Sequence, residues 1–168
     1  SQHKIQQLDK IILQLELYLE KINIPRTVAN SNDFTGLLRV MVYLRVLRSD
    51  LENIDYALLL RTQPAVLQTA LDYSHILESY IQTQEQLGNS ENLGQLRNEL
   101  NNLKKWSTQH RAEIREKILQ HTEVNQLNAA KGIELLAAQR WIDRLVAHTY
   151  RFTNVLYESI LKIGTEKK

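Results

Sequence analysis

Apolar residues recur at steps of three and four along almost the whole chain. Ile5, Leu8, Ile12, Leu15, Leu19 and Ile22 form one such stripe and predict a helix over residues 3–22. Pro25 ends it, because proline has no N–H and disfavours helix at the residue before it. Residues 23–33 then read as a loop, with Ser31, Asn32 and Asp33 as N-cap types for the next element. Leu37, Met41, Leu44, Leu47, Leu51, Ile54 and Leu58 predict a second helix over 34–61. Pro64 suits the first position of a third, which runs to about residue 87 on Val66, Ala70, Tyr73, Leu77 and Ile81. Gly88, Asn89 and Ser90 mark a turn. A fourth helix spans about 91–121 on Leu93, Leu96, Leu100, Leu103, Ile114 and Ile118. After a break within 120–128, a fifth runs over 129–163 on Ile142, Leu145, Phe152, Leu156 and Ile163, ended by Gly164 and a charged tail. Leu44, Leu51, Leu145 and Leu156 are expected in the core.

One apolar side per helix and short connections predict an all-α, antiparallel bundle of about five helices. Turn signals every 25–35 residues favour this over a continuous coiled coil. Composition agrees. Five glycines and two prolines in 168 residues are too few for a turn-rich β fold. The length suits a single domain over 1–168, large enough to do without a disulfide or metal staple, and there is no cysteine.

Charge and hydropathy narrow the function classes. A net charge of +2 gives no argument for nucleic acid. No apolar run approaches the roughly 20 residues of a membrane span. The N-terminus lacks the basic-then-apolar build of a signal peptide. It opens in helical periodicity at Ile5 without an initiator Met, so the chain is expected to be a segment of a larger polypeptide.

The densest polar content lies on the fifth helix. Arg140, Asp143, Ala147, Arg151 and Asn154 follow one another at helical spacing, with Arg144 and His148 beside them. One reading is a solvated face with local ion pairs. The other is a seam facing a partner, an anion or a metal, with Arg140, Arg144, His148 and Arg151 as the contacts for a partner or an anion. Asp50 on the second helix occupies a place like that of Asp143, within an apolar run and shortly after an arginine, which suggests a diverged internal repeat. A di-metal carboxylate enzyme would need Glu-x-x-His on two helices. The chain offers Asp72-x-x-His75 once, and its other histidines are scattered. Nothing resembles a Gly-rich phosphate loop or a nucleophile on a strand. No catalytic residue and no cofactor is expected. Trp106 and Trp141 read as packing residues.

Three segments resemble a known family. Residues 8–22, L-D-K-I-I-L-Q-L-E-L-Y-L-E-K-I, and 37–54, L-L-R-V-M-V-Y-L-R-V-L-R-S-D-L-E-N-I, are similar to the first repeat of PhoU-like domains of bacterial Na⁺/phosphate cotransporters. Residues 137–156, A-A-Q-R-W-I-D-R-L-V-A-H-T-Y-R-F-T-N-V-L, resemble the second copy. The resemblance implies two diverged three-helix repeats, about 1–62 and 64–164, with the first helix of repeat one missing. It implies a non-enzymatic regulatory role in phosphate transport at the cytoplasmic side of the bacterial inner membrane. The implied partner is the membrane-transport domain of the same polypeptide, and homo-oligomers fit the same plan. It also marks Asp50 and Asp143 as metal positions. In that family a Glu stands four residues before the Asp, whereas Val46 and Gln139 stand here. Val cannot ligate and Gln is a weak ligand, so metal binding is disfavoured. The alternative reading is a free-standing helical adaptor that binds proteins.

Overall fold

A computed structural model of the chain describes residues 6–7, 9–14, 17, 28–81, 90–124 and 128–165. These are helical, with short turns and no strand among them. The helices are α1 (Val28–Leu51), α2 (Tyr56–Leu60), α3 (Pro64–Ile81), α4 (Ser90–Val124) and α5 (Ala129–Thr165). Residues 9–14 form an additional helical segment before α1.

α5 is the hub, packing against α4, α1, α2 and α3. Its contacts fix the directions. Gly94, Ser107 and Thr122 on α4 meet Tyr157, Asp143 and Gly132 on α5 in reverse order, so the two helices are antiparallel. Gly36 and Asp50 on α1 meet Ser159 and Arg144 on α5, again in reverse order. Gly132 is buried against α4 near the start of α5, and a Cβ there would lie 3.0 Å from Thr122 Cγ2. Asn128 caps α5, its Oδ1 accepting the Lys131 N–H at 2.9 Å.

The core follows the apolar stripes. Leu60, Ile114, Ile118, Leu135, Ala138, Trp141, Ile142 and Leu145 form one buried cluster drawn from α2, α4 and α5. Leu93, Leu96, Leu100 and Leu103 extend it along α4. Thr149 and Thr153 are also buried on α5. Each donates its hydroxyl to the carbonyl four residues back, at 2.8 Å, and so enters the core without an unpaired polar group. The segment before α1 docks through a fork: Arg48 Nε and Nη2 donate to the two carboxylate oxygens of Asp9 at 2.6 and 3.0 Å. That hydrogen bond holds the Asp9 carboxyl below the usual carboxylate range.

Four expectations need correction. The predicted helix over 34–61 is two helices, with a turn at 52–55 between them. In this turn the N–H groups of Glu52, Asn53 and Ile54 reach back three residues instead of four. Secondly, α1 begins at Val28, so Ser31, Asn32 and Asp33 lie inside it and do not cap it from before. Such residues cost a helix only about 0.5 kcal/mol each, too little to force a boundary. Thirdly, Leu145 is buried as expected, but Leu44, Leu51 and Leu156 are only partly covered. Leu51 faces a cleft of about 440 Å³ that α2, α3 and α5 leave between them. α5 also continues through Gly164 to Thr165. The expected end of the third helix near 87 lies outside the described residues, as does much of the stripe over 3–22.

Leu60, fully buried, and Leu58, 61% exposed, sit two residues apart on α2. Leu60→Ala is expected to cost about 2–5 kcal/mol in urea unfolding. Leu58→Ala should stay within about 0.5 kcal/mol. Equal costs would mean that α2 is rotated.

Candidate functional site

The two aspartates singled out by the sequence sit on helix seams. Asp50 lies in the last turn of α1, its side chain 6% exposed. A carboxylate there faces the negative end of the helix dipole and has lost most of its water, so it needs donors. α5 supplies them. Arg144 Nε donates to Oδ1 at 2.8 Å and His148 Nδ1–H donates to Oδ2 at 2.6 Å. The buried indole of Trp141 donates through Nε1 to the Asp50 backbone carbonyl at 2.8 Å, a second bond to a carbonyl that also accepts the Asn53 N–H of the turn. Residues 141, 144 and 148 are one turn apart on α5, so a single helical flank holds both the backbone and the side chain of Asp50.

Tyr73 on α3 extends this seam. Its hydroxyl lies 3.0 Å from Thr149 Oγ1. Burial pushes the Tyr73 phenol up, the Thr149 hydrogen bond pulls it down, and the Asp50 charge adds to the rise. Tyr56 packs against the Trp141 ring with centroids 6.2 Å apart.

Asp143 makes a separate tie, from α5 to α4. Ser107 Oγ donates to its Oδ1, and Arg111 Nε lies 3.4 Å from its Oδ2. Trp106 beside it stacks on His110 at 4.4 Å between centroids. Asp50 and Asp143 thus have separate partners. No group of three or more His, Cys, Asp or Glu that could hold a metal ion occurs among the described residues. Gln139 is buried, with its Nε2 lacking a hydrogen-bond partner among protein atoms.

The polar stripe of the fifth helix is therefore divided. Arg144 and His148 turn inward onto Asp50, whereas Arg140 and Arg151 are exposed. Arg151 lines a groove between α1 and α5 with Arg39, Tyr43 and Tyr150. The sequence marks Asp50, Asp143, Arg144 and His148, but local spacing does not pair Asp50 with Arg144 and His148, 94 and 98 residues away. Local spacing also passes over Ser107, Arg111 and the role of the Trp141 N–H. An aromatic residue three positions before Arg144 was the available signal for the last.

Asp50→Ala removes the acceptor for two charge-assisted hydrogen bonds. It should cost about 2–3 kcal/mol, less than a fully buried pair because Arg144 is half exposed. Arg140→Ala should change stability by less than about 0.5 kcal/mol. Urea unfolding of both variants is the check, and equal costs would separate Asp50 from the seam.

No helix among the described residues is long and apolar enough to cross a membrane. Compared with known protein families, curated proteins and solved structures, the chain matches none.

Proposed function

We propose that the chain is a non-enzymatic regulatory domain of PhoU-like plan, serving a sodium-dependent phosphate transporter at the cytoplasmic side of the bacterial inner membrane. In this reading residues 1–62 and 64–164 are two diverged repeats, and the partner is the membrane-transport domain of the same polypeptide. The observation that carries it is the parallel use of the two motif aspartates. Asp50 ties α1 to α5, and Asp143 ties α5 to α4. Each motif aspartate thus holds its helix against a neighbour, Asp50 across the two proposed repeats and Asp143 within the second, as helix-positioning residues of a regulatory bundle would.

The same observation shapes the mechanism. Both carboxylates spend their hydrogen-bonding capacity on neighbouring helices, so they set helix positions. A domain built this way works through the placement of its helix faces against a partner and performs no bond-making step. Phosphate enters as the cargo of the transporter, with no residue of this chain assigned to bind it.

The test uses the full-length parent protein in cells. Its sequence is expected to carry membrane spans beyond this chain. Deleting the region of residues 1–168 should alter phosphate uptake, or its response to external phosphate, at equal expression. A parent without spans, or unaltered uptake after deletion, would overturn the reading in favour of a free-standing helical adaptor.

A further inference from the structure

The two ends of the α1–α5 pair carry surfaces of opposite character. At one end, the N-terminal half of α1 and the C-terminal half of α5 enclose a groove of about 440 Å³. Arg39 stands on its α1 wall and Arg151 on its α5 wall. Both are exposed, and neither has an acidic partner among the described residues. Tyr43 and Tyr150 line it as well, and Lys104 Nζ sits 5.1 Å over the Tyr150 ring, adding positive charge behind it. Glu158 is the lone acid of the lining. Leu38 and Val42, one turn apart on α1, are left 42% and 57% exposed.

At the other end, the turn after α1, α2 and the start of α5 form an acidic surface. Glu52, Asp55 and Glu134 line it, with Lys131 the lone cation. Glu52 is engaged by Arg48, while Asp55 and Glu134 are exposed and lack cationic partners among the described residues. Leu58 lines the same surface at 61% exposure, and Ile133, between Lys131 and Glu134, is 63% exposed. Each end therefore pairs large exposed apolar side chains with unneutralised charge, and the signs are reversed even in the minority charge.

The two surfaces cannot meet within one molecule. Glu134 and Arg151 lie about 25 Å apart along a continuous helix at ~1.5 Å per residue. We propose that the chain associates head to tail with a second copy of itself, the basic groove of one copy receiving the acidic α2 end of the next. Exposed apolar residues at both ends supply the area, tyrosines and arginines are the residue types that interfaces favour, and the complementary charges set the orientation. Such a contact is heterologous, so it builds a ring or an open string and no two-fold dimer. The inference rests on this chain alone and stands apart from the transporter reading.

Sedimentation velocity of the chain from micromolar to millimolar concentration is the test. The mass should rise from the 19.6 kDa monomer past that of a dimer and fall back in about 1 M salt, where screening is nearly complete. Arg39→Glu with Arg151→Glu disables the groove, and Asp55→Lys with Glu134→Lys disables the acidic end. Each variant alone should remain monomeric. An equimolar mixture should associate again and pass the mass of a dimer, because the native end of one variant fits the native groove of the other and the two reversed surfaces are complementary in turn. Should a double variant fail to melt cooperatively, the single exposed changes Arg39→Glu and Asp55→Lys replace it. Wild type that stays monomeric at every concentration would overturn the proposal. So would association that survives both reversals, or a mixture that remains monomeric.

Discussion

A carboxylate buried at the C-terminal end of a helix is the constraint on which the arrangement depends. Asp50 sits where the α1 dipole opposes its charge and where water reaches little of it. Left without donors it would draw the end of α1 toward solvent. Arg144 and His148 remove that option by giving it two charge-assisted hydrogen bonds, and Trp141 takes the carbonyl of the same residue. The end of α1 is therefore fixed to one flank of α5. The turn over 52–55 comes directly after it, its N–H groups reaching back three residues. α2 leaves at the angle that buries Leu60 in the central cluster.

α5 can serve as hub because its faces do different work. One buries Leu135, Ala138, Ile142, Leu145 and Val146. A second holds α1 through residues 141, 144 and 148. A third holds α4 through Asp143. The buried threonines at 149 and 153 return their hydroxyls to their own helix, so neither brings an unpaired hydroxyl into the packed side. In the regulatory role proposed here, a shift of α5 would be felt by α1 and α4 together, since one rigid element carries both ties.

The helices were legible because amphipathic periodicity survives over many turns. The stripe on Leu93, Leu96, Leu100 and Leu103 and the proline at 64 placed α4 and the start of α3 nearly where they lie. The break after Leu51 was not legible. Apolar spacing runs on through Ile54 and Leu58, and no proline or glycine interrupts it where the N–H groups of residues 52–54 turn back three residues. Degree of burial failed for a related reason. A stripe says which side of a helix is apolar, but whether Leu51 is covered depends on how closely α3 approaches. Among the polar residues, the sequence marked the right side chains on α5 and α1. The sorting of Arg144 and His148 inward and of Arg140 and Arg151 outward depends on where Asp50 packs, which local spacing does not encode.

The measurement closest to the central claim is a double-mutant cycle across the seam, using Asp50→Ala, Arg144→Ala and the double variant in urea unfolding, repeated with His148→Ala. A seam of this geometry gives a coupling of about 1 kcal/mol or more for each pair. Losses that simply add, within about 0.3 kcal/mol for both pairs, would mean that Asp50 does not hold α1 to α5.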